Sequence, residues 1–149
     1  MTPRILLDRI VATLRAGRKP RYSGTRGLGQ RWEGLATKHL EAAGYVIRER
    51  NFRGRTGEID LVAEESGVLC FVEVKGRSGT GFGLPAEAVT ADKQRRIARA
   101  AQEYLLRRRL PSSTRCRFDV VSVLDSGGSP EVTILRDAFA MPEARGPRA

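Results

Sequence analysis

The sequence predicts an α/β domain in which a mixed sheet of about five strands is flanked by two main helices, in the order αβββαββ. Three observations predict this class. Apolar residues recur at helical spacing in two stretches, residues 28–43 and 85–110. Five shorter runs rich in Val, Ile and Phe lie between and after these stretches, separated by turn residues. The 149 residues, of which 40% are hydrophobic and 30% charged, suit one globular domain.

The first main helix is predicted from Leu28 to Ala43, where Gly44 ends it. At about 100° per residue, Glu33 falls at the border of the apolar stripe, so its carboxylate can reach the edge of whatever the helix packs on. His39, the only histidine in the chain, lies within the stripe and is interpreted as a packing residue. The stripe comprises Leu28, Trp32, Leu35, Ala36, His39, Leu40 and Ala43.

The second main helix is predicted over residues 85–110, in one or two pieces, with Thr90 as an N-cap and Pro111 after its end. Its polar side is rich in cations, which form either a solvated face or a contact with a nucleic-acid backbone. The predicted core side comprises Val89, Ile97, Ala100, Ala101, Tyr104 and Leu105. The cations are Lys93, Arg95, Arg96, Arg99 and Arg107 to Arg109.

The strands and their connections carry further candidate contacts. A basic turn with Arg53 and Arg55 precedes the second strand. Residues 76–83 contain four glycines and are predicted to form a loop, which can close on a phosphate backbone through its amides, Arg77 and Ser78. The strands are predicted at residues 45–52, 57–63, 68–75, 115–124 and 131–136.

Charge is unevenly distributed along the chain. Lys and Arg number 27 against 17 Asp and Glu, so the net charge is +10 and the pI about 10.7. Residues 1–31 hold eight cations and one anion and therefore account for +7 of this charge. Such a basic excess favours a polyanionic partner, nucleic acid before membrane. We expect a basic N-terminal helix or arm with its linker over residues 1–27, a folded domain over residues 28–140 and a disordered tail over residues 141–149.

The cysteines and the hydropathy pattern favour the cytoplasm. Cys70 lies in an apolar strand, where a reduced, buried thiol is expected, and neither it nor Cys116 shows a metal-ligand spacing. Reduced thiols suit a reducing compartment. No apolar run approaches the ~18–20 residues of a membrane span. Asp8 and Arg9 interrupt the apolar residues near the N-terminus, which argues against a secretion signal.

Charged residues interrupt the second and third strands. Ser66 and Gly67 predict either a two-residue turn or, with one neighbour on each side, a four-residue loop, and both set the same register. In that register Asp60 lies across from Glu73, with Cβ atoms roughly 4.5–5.5 Å apart, whereas a three-residue loop would shift the pairing by one. Facing carboxylates repel each other, and a divalent metal such as Mg²⁺ would offset the repulsion. Lys75 lies on the same face as Glu73, where it would stand beside a metal-bound water or a phosphate.

These residues resemble a known nuclease signature. The two strands are similar to the PD-(D/E)XK pattern, in which an acid is followed by Glu-x-Lys, here Gly57-Glu58-Ile59-Asp60-Leu61-Val62 and Phe71-Val72-Glu73-Val74-Lys75. More narrowly, roughly residues 28–136 resemble the YraN family of small bacterial proteins, described as predicted endonucleases related to archaeal Holliday-junction resolvases. Glu-x-Lys alone is a weak motif, but the whole set in this order and spacing is specific for the family. The other residues that carry the likeness are Gly29, Glu33, Ala36, Leu40, Gly44, Tyr45, Asn51, Arg77, Lys93, Ala101, Tyr104, Leu105 and Phe118 to Val121.

The resemblance implies a restriction-endonuclease-like core with a site for Mg²⁺ or Mn²⁺. Asp60 and Glu73 would ligate the metal, helped by the backbone carbonyl of Val74. Lys75 would orient or activate the attacking water and stabilise charge on the phosphorane, and Glu33 would complete the acidic cluster from the first helix. The implied activity is metal-dependent endonucleolytic hydrolysis of DNA, with branched or structured DNA as candidate substrates.

Three functions stay open at this point. The first is the endonuclease, the second a nucleic-acid-binding module of the same fold that does not cleave, and the third an adaptor in which Asp60, Glu73 and Lys75 form only a structural ion-pair ladder. DNA is the expected partner, with RNA not excluded and no membrane partner expected. A homodimer is kept open because junction-cutting relatives are dimeric. The residues expected to contact nucleic acid are Arg53, Arg55, Arg77, Ser78, Lys93, Arg96 and Arg99.

Overall fold

A computed structural model describes residues 25–78, 89–125 and 128–140. The described chain forms two helices and five strands in the predicted order αβββαββ, so the predicted fold class is confirmed. The elements are α1 (Thr25–Ala42), β1 (Val46–Arg53), β2 (Glu58–Glu65), β3 (Val68–Ser78), α2 (Ala91–Arg107), β4 (Cys116–Asp125) and β5 (Glu131–Leu135).

All five strands belong to one mixed sheet, in the order β1-β2-β3-β4-β5. The first three strands form an antiparallel meander, β3 and β4 are parallel, and β4 and β5 are antiparallel. A parallel pair needs a long crossover connection, and α2 lies in that connection. The central strand β3 carries Glu73 and Lys75 and therefore has an antiparallel neighbour on one side and a parallel neighbour on the other.

The hairpin of β2 and β3 has the two-residue turn that the sequence allows. Ser66 and Gly67 have φ angles of 51° and 79°, as in the type I′ turns whose twist matches that of the flanking strands. The pairing continues from this turn without a shift as far as Leu61 opposite Val72. The predicted register is therefore confirmed over this ladder, which ends one position before Asp60 on β2 and Glu73 on β3.

Apolar side chains fill a core on each face of the sheet. The α1-side core includes Ala36 and Leu40 of α1 together with Leu61 of β2. The α2-side core is richer in aromatic rings, with Phe71 of β3 packed edge-on against Tyr104 of α2 at 5.7 Å between ring centroids. All six residues predicted for the core side of the second helix are buried there: Val89, Ile97, Ala100, Ala101, Tyr104 and Leu105.

Both cysteines are free and buried, as expected for Cys70 from its apolar strand. Burial raises the pKa of the Cys70 thiol above its ordinary range and that of the Cys116 thiol to about 12. The two thiols lie in different cores, Cys70 on the α1 side and Cys116 on the α2 side. Each therefore acts as a small packing residue.

The start of α2 agrees with the sequence. Thr90 is the N-cap, and its Oγ1 accepts a hydrogen bond from the backbone N–H of Lys93 at 3.2 Å. The helix ends at Arg107, three residues earlier than the predicted end at residue 110. Residues 85–88, which the sequence placed in the same helix, lie outside the described residues.

Two predicted details of α1 are wrong. The helix begins at Thr25, three residues earlier than expected, and ends one residue earlier, at Ala42. His39 is exposed although it falls within the predicted apolar stripe. Thr37 is buried instead, because its hydroxyl donates to the Glu33 carbonyl at 2.7 Å and so needs no water.

The predicted glycine-rich loop begins later than expected. Residues 76–78 continue β3, because this strand pairs with β4 as far as Ser78 opposite Asp125. Arg77 and Ser78 are thus strand residues in the described chain. Residues 1–24 of the basic arm predicted over residues 1–27, the rest of the predicted loop and the tail over residues 141–149 lie outside the described residues, whereas residues 25–27 belong to α1. Neither described helix combines the length and apolarity needed to cross a membrane.

Candidate functional site

Asp60 lies where β2 and β3 stop pairing through their main chains. The last main-chain pair is Leu61 opposite Val72. Beyond it, Asp60 Oδ2 accepts a hydrogen bond from the Val74 N–H at 2.9 Å. Because the N–H groups of a strand point within the sheet, this carboxylate lies near the plane of the sheet, between the two strands. Asp60 is only 3% exposed, so the structure fixes a buried carboxylate at this point.

The alternation of β2 is interrupted at Asp60. Ile59 packs into the α2-side core, whereas Leu61 packs into the α1-side core. Residues two apart share a face in a regular strand. The interruption explains why an acidic side chain in the middle of a strand reaches a main-chain amide of the neighbouring strand.

Glu73 meets a cation on the α2 side of the sheet. Phe71, two residues earlier, packs into the α2-side core, so alternation places Glu73 on the same face. Glu73 Oε1 lies 3.8 Å from Lys93 Nζ, and the two side chains are 7% and 23% exposed. Solvent and salt screen such a pair much less than a surface pair. The sequence had assigned Lys93 to the nucleic-acid backbone, whereas the structure places it against a predicted metal ligand.

Lys75 and Glu33 belong to opposite faces of the sheet, because Lys75 shares the α2 side with Phe71 whereas α1, which carries Glu33, packs on the other face. Lys75 lies opposite Ser122 of β4, and alternation places it on the same face as Glu73. Glu33 lies on α1, directly after Trp32, whose indole packs against Gly76 of β3. The fold therefore brings the helix with Glu33 to the strand segment that follows Lys75.

The described residues offer a pair of acidic side chains for a metal. No group of three Asp, Glu, His or Cys side chains in the described part of the chain is close enough to hold a metal ion. Asp60 and Glu73 still supply hard oxygen donors from adjacent strands. Mg²⁺ is usually bound through one or two carboxylates and keeps several waters, so this donor set fits Mg²⁺ or Mn²⁺. The roles of the Val74 carbonyl and of Glu33 stay predictions.

The basic turn between β1 and β2 packs against α2. Gly57 has no room for a side chain, because a Cβ there would lie 2.8 Å from the carbonyl oxygen of Arg96. The backbone N–H of Arg55 donates to the Glu103 carboxylate at 2.7 Å. The turn and the helix therefore place Arg55, Arg96 and Arg99 on adjoining parts of the surface.

The predicted nucleic-acid contacts differ in whether they already have an acidic partner. Arg53 lies 3.6 Å from Glu58, and Lys93 pairs with Glu73. Arg96 and Arg99 are exposed about one helical turn apart, and no ion pair to either is present among the described residues. Other arginines of the second helical segment, namely Arg95, Arg107 and Arg108, pair with Asp92, Glu103 and Glu49.

A second polar cluster stabilises the other end of the hairpin. Asp119 is fully buried and accepts hydrogen bonds from the Tyr45 hydroxyl at 2.8 Å and from Arg117 Nε at 3.0 Å. Glu65 accepts hydrogen bonds from Arg136 and Arg117. The bond from Arg136 is the main reason why the pKa of Glu65 is lowered to about 2. Tyr45 and Asp119, which helped to carry the family resemblance, are thus satisfied within the fold.

The contact between Lys93 and Glu73 is the feature that sequence reasoning missed. One signal was available. Lys93 lies three residues after the N-cap Thr90, in the first turn of α2, where the helix dipole disfavours a cation. A cation at such a position is stabilised by an acidic partner outside the helix.

The element order, with an acid on β2 and Glu-x-Lys on β3, defines an α/β protein of the PD-(D/E)XK-like group. Residues 32–123 match the model of the Uncharacterised protein family UPF0102. The chain therefore belongs to the UPF0102 family, which is the YraN family.

Similar proteins occur in several bacteria. The chain is 50% identical over 118 residues to a UPF0102 protein of Lachnoclostridium phytofermentans, which covers 75% of this chain and 96% of the relative. It is 50% identical over 113 residues to a UPF0102 protein of Rhodococcus opacus, and the match covers 75% of this chain and 95% of the relative. It is 55% identical over 100 residues to a UPF0102 protein of Symbiobacterium thermophilum, and the match covers 66% of this chain and 83% of the relative.

Proposed function

We propose that the protein is a metal-dependent endonuclease that hydrolyses phosphodiester bonds of DNA. The observation that carries the proposal is the pair of buried carboxylates, Asp60 and Glu73, at the end of the hairpin ladder with Lys75 directly beyond. Two neighbouring buried acids are costly unless cations compensate them. A divalent cation has both the charge and the preference for oxygen ligands that such a pair requires.

Each residue has a distinct task in the proposed reaction. The Val74 N–H holds the Asp60 carboxylate in place, so this ligand is oriented before any substrate arrives. Glu73 supplies the second carboxylate. A bound divalent metal would lower the pKa of a water and polarise the scissile phosphate. Lys75, on the same face as Glu73, orients the attacking water and stabilises the negative charge that develops on the phosphate.

The adjoining cations support nucleic acid as the substrate. Lys93, Arg96 and Arg99 follow each other at one-turn intervals along α2, and Arg55 lies on the turn packed against it. At 1.5 Å per residue, Lys93 and Arg99 are about 9 Å apart along the helix axis. Phosphates of one DNA strand are spaced by ~3.4 Å along the duplex axis, so the exposed Arg96 and Arg99 can each meet one phosphate, while Lys93 pairs with Glu73 in the described structure. Contacts of this kind bind the backbone without reading the sequence.

Cleavage of a supercoiled plasmid and of a four-way DNA junction tests the proposal. The parent is expected to cut only with Mg²⁺ or Mn²⁺. Glu73→Gln and Lys75→Ala should each lower the rate at least about 100-fold, because each removes a group that acts on the reacting atoms. Glu131→Gln, which removes an exposed carboxylate on β5, is the matched control and should cut at the parent rate. Metal-independent cutting, or full activity of Glu73→Gln, would contradict the proposal.

A nucleic-acid-binding module that does not cleave is the second candidate. The ion pair between Glu73 and Lys93 favours it, because this pair already offsets part of the buried negative charge. Under this reading no preparation cuts, and Asp60→Asn and Lys75→Ala keep the DNA affinity of the parent. Calorimetry with Mn²⁺ separates the candidates further, because only the endonuclease requires metal uptake that Asp60→Asn abolishes.

A further inference from the structure

Lys93 is held at a position that is unfavourable for a cation within its own helix. The Thr90 hydroxyl accepts a hydrogen bond from the backbone N–H of Lys93 at 3.2 Å, and this bond fixes Lys93 in the first turn of α2. The N-terminus of a helix carries partial positive charge and destabilises a nearby ammonium. The ammonium is instead directed at Glu73, whose side chain is 7% exposed, at 3.8 Å. The ion pair with Glu73 on β3 therefore offsets the unfavourable interaction of the Lys93 ammonium with its own helix dipole.

The start of α2 is anchored firmly enough to keep this geometry. Val89 before Lys93 and Ile97 after it are 1% and 3% exposed and both pack into the α2-side core. The acidic residue of the same turn, Asp92, pairs with Arg95. The direction of the Lys93 side chain toward the sheet thus follows from the packing of the helix.

We propose that Lys93 is a positioning residue of the site, which holds the Glu73 carboxylate in the metal-free protein and competes with the divalent metal for it. The inference rests on the proposed function, since it concerns the same metal site. An ammonium and a divalent cation on one carboxylate repel each other, so metal binding displaces Lys93 from Glu73. The released ammonium, at the start of the row of cations on α2, then contacts a phosphate oxygen of the nucleic acid.

This exchange couples the two binding events. Metal favours the state in which Lys93 has left Glu73, and a bound phosphate favours the same state. Each ligand therefore strengthens the binding of the other, by the same factor in both directions. Lys93 contributes little to DNA binding without metal and contributes clearly when metal is present.

Mn²⁺ titration of the full chain, followed by electron paramagnetic resonance of the free ion, tests the competition. Lys93→Met and Lys93→Gln should bind Mn²⁺ about tenfold more tightly than the parent, which corresponds to about 1.4 kcal/mol. Lys93→Arg should behave as the parent, because it restores the competing charge. Lys38→Met removes an exposed lysine of α1 and is the matched control, with unchanged affinity. Equal or weaker Mn²⁺ binding by a folded Lys93→Met or Lys93→Gln protein would overturn the inference.

DNA binding, measured by fluorescence anisotropy in a Lys75→Ala background, tests the coupling. Lys93→Met should weaken binding about fivefold with Mn²⁺ and less than about twofold without it. An equal loss in both conditions would overturn the inference. Glu73→Gln separates this failure from that of the proposed function. If the parent and Glu73→Gln take up Mn²⁺ equally, or if neither takes it up, the metal site itself is refuted. If Glu73→Gln loses Mn²⁺ binding but the Lys93 variants bind it as the parent does, only the role of Lys93 is refuted.

Discussion

The contact of Gly76 with Trp32 determines how α1 is held against the end of β3. A Cβ built at Gly76 would overlap the Cγ, Cδ2 and Cε3 atoms of the Trp32 indole. These are atoms of a rigid ring, so Gly76→Ala must displace the ring or the helix that carries it. Overpacking of a core contact costs about 1–3 kcal/mol, and an overlap with several ring atoms predicts the upper end, about 3 kcal/mol. For a chain of 149 residues this corresponds to a Tm lowered by about 6–12 °C.

The same substitution affects the candidate site, because Gly76 follows Lys75 and Trp32 precedes Glu33. A shift of α1 would therefore move Glu33 relative to β3. Trp32 is the only tryptophan in the chain, so its fluorescence reports on this contact alone. Its Nε1 is buried with no hydrogen-bond partner among the described residues. In Gly76→Ala we expect a red-shifted emission as water reaches the indole.

A double-mutant cycle measures the contact directly. Far-UV circular dichroism during urea unfolding gives the stability of Gly76→Ala, Trp32→Leu and the double variant. If the two residues touch as described, Gly76→Ala should cost much less in the Trp32→Leu background, with an interaction energy above about 1 kcal/mol. Gly128→Ala is the control, since a Cβ there meets nothing within 4 Å, and should change stability by less than about 0.5 kcal/mol. Additive effects at Gly76 and Trp32 would refute the packing argument.

Two further predictions concern charge. The hydrogen bond from Arg136, helped by Arg117, lowers the pKa of Glu65 from 4.5 to about 2, so the stabilisation from this carboxylate is complete above pH 4.5 and is lost as the pH falls through 2. Glu65→Gln should remove about 3 kcal/mol of this acid dependence in urea unfolding between pH 7 and pH 2, and an unchanged acid dependence would contradict the argument. Arg96→Gln and Arg99→Gln should each lower the slope of log DNA affinity against log salt by about 1, measured by fluorescence anisotropy. An unchanged slope would remove that arginine from the interface.

The features that the sequence predicted well depend on local chemistry. The dipeptide Ser66-Gly67 tolerates positive φ at both turn positions, and this alone set the register of the hairpin. The observed pairing follows that register as far as Leu61 opposite Val72, one position before the acids of β2 and β3. The core side of α2 was also predictable, because 3.6-residue periodicity identifies a buried face without knowledge of the sheet that covers it.

Other features depend on contacts between distant segments. The Val74 N–H bonds to the Asp60 carboxylate only because β2 loses its alternation at that residue, and no local pattern announces this. Residues 76–78 were predicted as loop from their glycines, yet β4 extends β3 through them by parallel pairing. The glycine at position 76 is required by the approach of Trp32 and not by a turn. Glycine can therefore be required either by a turn or by a close contact, and the sequence alone does not distinguish these two reasons.

The partner of a cation is the hardest of these features to predict, and Lys93 shows why. Periodicity placed it on the polar side of α2, beside Arg96 and Arg99, and charge alone assigned all three to a phosphate backbone. The rotation and depth of α2 on the sheet, fixed by its buried residues, direct one of the three at the Glu73 carboxylate and leave the other two exposed. Net charge predicts that a surface attracts polyanions, whereas the packing of one helix determines which cation contacts an acid of the site. The first turn of α2 is therefore where the fold links the acidic site to the basic surface.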